Sequence, residues 1–264
     1  LQNDFKPVFV DINPRTLCMD DEEIIDNLSG NTCAVFLTHV QGFNGLTDRL
    51  IKILKEKNIP LIEDVCESHG ATFKGKKLGS YGMLSNFSFY YAHHMSTIEG
   101  GMVCTNEEEI YQIIRMFRSH GMIRESSNEN IKNKYINDHQ DLNPDFIFAY
   151  PAYNVRNTEI GAIIGRSQLK RLEQNNEKRN KNLTLFLYAL DEKIYRTDFD
   201  LEGCSNYAFP LVLKKPDFNF RDKLEIHMKK NGIEFRRGSA GGGNQMRQPY
   251  LRGIVKEKSW ENYP

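Results

Sequence analysis

The alternation of short β-rich apolar runs with amphipathic stretches constrains this 264-residue chain more than any other feature. Residues 8–12, 33–39, 59–65 and 86–91 read as strands. Between the second and third, residues 46–57 place Leu46, Leu50, Ile53 and Leu54 on one helical face. This is the rhythm of a parallel sheet covered by helices.

Residues 107–118 carry Ile110, Ile113, Ile114 and Phe117 at helical spacing, with Thr105 or Asn106 as the expected N-cap. Residues 125–144 are rich in Asn, Lys and Asp and lack a core pattern, so a surface insertion or mobile flap is expected. Residues 158–172 read as a helix with a capping-box-like start, and 173–190 as a long charged helix. A strand over 207–213, a helix over 220–231 ended by Gly232, and a strand over 233–237 suggest a small α+β domain. The expected division is a large unit over 1–175 and a small one over 176–264. The chain opens on Leu1 directly before an apparent strand and stops at Pro264 after an aromatic-rich stretch, as a piece cut at both ends would.

Lysine plus arginine, at 35, equals aspartate plus glutamate, so no net charge draws the chain to nucleic acid or an acidic membrane. Its five cysteines are widely spread with no C-x-x-C pair, which suggests neither a disulfide framework nor a zinc cluster. No apolar run is long enough to span a bilayer and no secretion signal is visible, so a cytoplasmic protein is expected.

In open parallel sheets ligands gather at the carboxyl ends of strands, and Asp64 lies at such an end. On that segment alone a helix-capping or turn aspartate is the first reading and a ligand contact the second. The run from Ser88 through Tyr90, Tyr91, His93, His94 and Thr97 to Glu99-Gly100-Gly101 is more specific. A strand ends in two histidines, then hydroxyls, then a glycine pair. Two histidines read as a catalytic pair, a metal pair or a polar loop, and metal is the weaker option because no Asp, Glu or Cys completes a ligand spacing. The Arg236-Arg237-Gly238 run and the glycines up to Asn244 form a loop that could cradle an anion or be a tight turn with solvated arginines. His39 reads equally as ligand-facing or structural.

The segment from Leu61-Ile62-Glu63-Asp64 to Glu67-Ser68-His69 and the segment from Ser88 to Gly101 resemble the DegT/DnrJ/EryC1/StrS family of nucleotide-sugar aminotransferases. Arg118 to Gly121 and Tyr153-Asn154-Val155-Arg156 to Glu159 match its further landmarks. The resemblance spans about residues 7–250. It implies an α/β fold of the pyridoxal-phosphate (PLP) transferase type I, a mostly parallel central sheet covered by helices plus a smaller α+β C-terminal domain. It also implies a PLP or pyridoxamine phosphate cofactor held by Asp64 at the pyridine nitrogen, with Ser88 and Asn154 at the phosphate and Glu67 nearby. Asn154 would be lent across a homodimer with shared active sites. Arg156, Arg237 and Asn244 become substrate-binding candidates. The segment that in the family precedes this span carries a phosphate-binding turn and a ring-stacking aromatic.

Two positions depart from the family pattern. His93 falls where most members carry the lysine that bonds covalently to the cofactor aldehyde, and Glu67 falls where glutamine is typical. Imidazole cannot form that bond but can move protons near neutral pH. The pair resembles the subgroup that removes the 3-hydroxyl from a nucleotide 4-keto-6-deoxy sugar, with glutamate as amino donor and His93 as base and then acid. One kind in that subgroup uses an iron–sulfur cluster on four cysteines. Only Cys104 and Cys204 follow His93, so the cluster-free kind is expected. An ordinary sugar aminotransferase is the near alternative, but no lysine lies between Lys77 and the helix at Glu107. A non-catalytic binding or regulatory homologue is the alternative from another class.

Overall fold

The computed structural model describes residues 1–238 and 243–251. The first helix, α1 (Asp21–Asp26), is capped by Asp20, whose carboxylate accepts from the amides of Glu22 and Glu23. Strand β1 (Val35–Thr38) leads to α2 (Asp48–Glu56), capped by Thr47, and then to β2 (Leu61–Asp64). A small hairpin of β3 (Thr72–Phe73) and β4 (Lys76–Lys77) turns through Lys74 and Gly75, both at positive φ. Strand β5 (Leu84–Ser88) follows, then β6 (Gly101–Thr105). The sheet order is β1-β2-β5-β6, with β6 antiparallel to β5 and the other pairs parallel.

Helix α3 (Glu108–Phe117) starts one residue after the expected caps. Thr105 ends β6, and its hydroxyl accepts from the Glu107 amide and donates to the Met83 carbonyl. The segment expected as a surface insertion or mobile flap lies at the surface but is not structureless. It contains α4 (Glu129–Asp138), capped by Asn128, and Ile131, Tyr135 and Ile136 pack on Met116, Ile123 and Ile147. A sparse apolar stripe inside a polar sequence suffices because its partners lie outside the segment. Helices α5 (Glu159–Leu169), α6 (Leu172–Ala189) and α7 (Phe218–Lys230) lie close to their expected places.

Three expected strands do not form among the described residues. Over 8–12 only Ile12 pairs, in a single bridge to Met19, and Val8 is exposed. Over 207–213 only Leu213 pairs, with Tyr195, and 233–237 is irregular. These runs have strand-like composition but no neighbouring strand to complete their backbone hydrogen bonds.

The main core lies between α2 and the sheet, where Leu50 and Leu54 meet Leu37, Leu61 and Val65. A second cluster joins Leu183 and Leu187 of α6 to Cys18, Phe43 and Phe199. Helix α6 thus runs unbroken through residue 175 and packs on the first part of the chain. Among the described residues no helix is long and apolar enough to cross a membrane.

Candidate active site

Strands β1, β2 and β5 are parallel, so their carboxyl ends share one edge of the sheet, and the segments that leave them meet there. Asp64 ends β2. Its Oδ1 accepts from Asn86 Nδ2 at 2.9 Å and from the Cys66 amide at 3.1 Å, while Oδ2 takes a long 3.5 Å contact from the Thr38 hydroxyl. One oxygen therefore shapes the turn, as the cap reading expects, and the other keeps accepting capacity.

Glu67 lies one turn on, and its Oε2 accepts from the Gln41 amide at 2.9 Å. Burial lifts its carboxyl above the ordinary value, and the charge of Asp64 adds to this. The Gln41 amide and the proximity of His93 and Arg236 oppose it. Burial, with Asp64 beside it, also pushes the Cys66 thiol up to about 12, which keeps it protonated and unreactive.

The two adjacent histidines diverge. His93 is half-buried, and its Nδ1 meets the Cys66 carbonyl oxygen. A carbonyl can only accept, so Nδ1 carries a proton, and in the neutral ring the lone pair therefore sits on Nε2. His94 is buried and bonds through Nε2 to the Ser205 carbonyl at 2.5 Å; burial depresses its pKa to about 4. His69 is buried beside both, and its pKa is depressed to about 3, first by burial and then by the neighbouring histidines. His69 and His94 therefore stay neutral near pH 7, and of the three His93 is the half-buried one. Ser88 ends β5; its Oγ accepts from the Tyr90 amide at 3.3 Å, leaving its own O–H to donate.

His39 and Glu63 belong to the scaffold. His39 Nδ1 accepts from the Gly45 amide, so its Nε2–H donates to Glu63 Oε2 at 3.2 Å. Both residues are fully buried.

The structure does not bring all candidates together. Asn154 and Arg156 are exposed and bond to each other, Arg156 Nε donating to Asn154 Oδ1 at 3.1 Å. Arg237 is turned away from the cluster and held by Glu225 at 2.6 Å and Asp222 at 3.6 Å, both on α7. Its neighbour Arg236 is the arginine whose charge reaches Glu67, Tyr90 and Tyr207. Asn244 caps a 3₁₀ turn at Gln245–Arg247, and the glycine loop at 239–242 lies outside the described residues. Tyr207 was not foreseen. Its ring lies 5.4 Å from that of His93, and no local motif marks it.

Tyr207 is delivered by a segment that crosses Gly42 closely. Gly42 has φ +93°, and a Cβ there would lie 2.3 Å from the Ser205 carbonyl oxygen. Gly42→Ala is expected to lower stability by about 2–4 kcal/mol through strain and overpacking, read as a reduced urea midpoint.

A model of the DegT/DnrJ/EryC1/StrS aminotransferase family matches residues 1–250. The chain belongs to this family. Over 229 residues it is 35% identical to GDP-4-keto-6-deoxy-D-mannose 3-dehydratase of Escherichia coli O55:H7, covering 86% of this chain and 59% of that protein. A solved structure of the E. coli GDP-4-keto-6-deoxy-D-mannose-3-dehydratase with bound hydrated PLP is 33% identical with a TM-score of 0.77, over 89% of this chain and 60% of that one. Another structure of a GDP-4-keto-6-deoxymannose-3-dehydratase, with a trapped PLP-glutamate geminal diamine, is 31% identical with a TM-score of 0.73, over 86% of this chain and 58% of that one. The chain thus spans less than two thirds of these relatives' length. Its fold is that of the PLP-dependent aminotransferases.

Proposed function

We propose that this chain is a PLP/pyridoxamine-phosphate-dependent 3-dehydratase that removes the C3 hydroxyl of a nucleotide-linked 4-keto-6-deoxyhexose, with glutamate as amino donor. Deoxysugar and lipopolysaccharide O-antigen biosynthesis, in the cytoplasm, is the setting this activity fits. The observation that carries the reading is His93: an imidazole with Nδ1–H tied to the Cys66 carbonyl, leaving Nε2 as the base, near Glu67.

The residues present fit the cofactor. Asp64 Oδ2 has accepting capacity for a protonated pyridine nitrogen, and the rigid hold on Oδ1 aims it. The Ser88 hydroxyl, free to donate at the end of β5, suits a phosphate oxygen. When bound, the cofactor supplies an electron sink for the pair left by proton loss. With the cofactor bound, His93 Nε2 would be the base that accepts the proton released next to the cofactor's amine, and the imidazolium so formed would be the acid that returns it to the departing C3 hydroxyl as water leaves. His69 and His94 stay neutral beside it, so neither competes for the proton.

Arg236 is the arginine suited to a substrate anion on this side, since Arg237 is already paired. Asn154 and Arg156 are assigned to the neighbouring site of a homodimer, a reading supported by their exposure. GDP-4-keto-6-deoxy-D-mannose is the substrate to test first, from the relatives' names.

Borohydride added to the protein with PLP is expected to leave no covalent adduct, while glutamate removes the aldehyde absorbance. A lysine-linked adduct found by mass spectrometry would overturn the proposal.

A further inference from the structure

His93 sits in a loop, and one hydrogen bond from Nδ1 does not by itself fix an imidazole against rotation about its side-chain bonds. Three rings surround it: His69 with centroids 6.0 Å away, Tyr90 at 5.8 Å and Tyr207 at 5.4 Å. His69 and Tyr90 lie on the same stretch of chain as the loop's anchor and base. Tyr207 arrives from beyond α6.

The segment that carries Tyr207 is held with unusual thoroughness. The Tyr207 amide donates to the Gln41 carbonyl at 3.0 Å, and the Ser205 amide to the Gly42 carbonyl at 3.0 Å. From α6, Arg179 donates to the Tyr207 carbonyl at 3.1 Å, and the Asn180 side chain bonds the Cys204 carbonyl at 2.5 Å and the Asn206 amide at 2.8 Å. His94 holds the Ser205 carbonyl. The backbone groups of an irregular segment are thus satisfied from two directions, so the segment behaves as a rigid strap and not a loop. Burial and the nearby Glu67 carboxylate keep the Tyr207 phenol in its neutral form.

We propose that Tyr207 is a positioning residue for His93: its ring closes the side of the imidazole that faces the second half of the chain and holds Nε2 in line with the reacting carbon. The kinetic part of this inference rests on the dehydratase reading; the geometric part does not. A misplacement of about 1 Å in a reacting group is enough to cost up to about a hundredfold in rate.

The geometric arm uses the full chain, without cofactor, labelled with ¹⁵N in its histidine rings, at about pH 8.5, above the ordinary histidine range. His93 signals, assigned by their loss in His93→Asn, should show an Nδ1-protonated ring in the wild type and in Tyr207→Phe. In Tyr207→Ala and Tyr207→Leu they should move toward the tautomer average, with the unfolding midpoint confirming that the variants fold. In the kinetic arm, Tyr207→Ala and Tyr207→Leu should lower kcat by about tenfold or more. The KM for the nucleotide sugar should stay put, and the isotope effect on the abstracted proton should rise. Tyr207→Phe should stay near wild type. Unchanged His93 signals in the folded Leu and Ala variants would overturn the inference, as would a Phe variant as slow as Ala, since the hydroxyl and not the ring would then matter. A wild-type protein that fails to turn over the sugar would sink the dehydratase reading alone, because the ring signals are read without it.

Discussion

Replacing His93 with asparagine is expected to lower turnover of the nucleotide sugar by about a hundredfold to ten-thousandfold, the usual worth of a general acid–base group. The change is selective because the two ring nitrogens do different things. Nδ1 donates to the Cys66 carbonyl, and an asparagine amide at the same place can still donate there. Nε2 has no replacement. Cofactor affinity should therefore stay close to wild type, since Asp64, Asn86 and Ser88 are untouched. His93→Lys should place an amine in the same position, and borohydride should then fix the cofactor to residue 93, as peptide mass mapping would reveal. Full sugar turnover in His93→Asn would refute the assignment of the base.

Glu63→Gln is expected to cost about 2–4 kcal/mol of stability at neutral pH, through buried donors left without an acceptor. Glu63 is fully buried and takes four hydrogen bonds, all as acceptor. Oε1 receives the amides of Tyr81 at 2.7 Å and Gly82 at 2.6 Å. Oε2 receives the Gly79 amide at 2.7 Å and the His39 ring at 3.2 Å. Glutamine has one acceptor oxygen, so its NH₂ must face donors in either orientation. His39 cannot switch tautomer to help, because its Nδ1 already accepts from Gly45. Equilibrium urea unfolding measures the loss.

The same site gives a pH test. Burial by itself would raise the Glu63 carboxyl, but the His39 hydrogen bond and the amides of Gly79 and Gly82 outweigh it, and the net shift is downward. A carboxyl that is more acidic in the folded state contributes its full stability above its unfolded value, about 4.3, and loses it as the pH falls through the lower folded value. Wild-type stability should drop across that acidic window, and Glu63→Gln should lack this part of the drop. Equal acid sensitivity in both proteins would refute the role given to Glu63.

Much of the fold was legible because its signals are local. Leu50 and Leu54 mark the buried face of α2 by spacing alone, and the capping-box-like start at Thr158 announces α5, whereas the Thr47 cap of α2 is seen only in the structure. Where spacing was present but the company was polar, as for Ile131, Tyr135 and Ile136 of α4, composition hid a real helix. The opposite error befell residues 8–12 and 207–213. Strand-like composition says nothing about whether a neighbour exists to pair with.

The candidate site divides along the same line. Pattern alone placed Asp64 and the histidine pair at strand ends, the resemblance singled out Asp64 and His93, and parallel pairing carries the ends of β2 and β5 to one edge of the sheet. Spacing alone cannot choose between His93 and His94, and it was the resemblance to the family pattern that singled out His93; it also named Arg237 where Arg236 is the arginine near Glu67. Three-dimensional contacts show how the neighbours differ. A carbonyl 27 residues away sets the His93 tautomer, and one 111 residues away takes His94 out of play. Glutamates on α7 claim Arg237. Periodicity and capping are properties of adjacent residues, so the chain alone determined the helices and the strands at whose ends the chemistry sits. Hydrogen-bond partners and burial arise only when distant segments meet, so the tertiary structure decided which side chains are free to react.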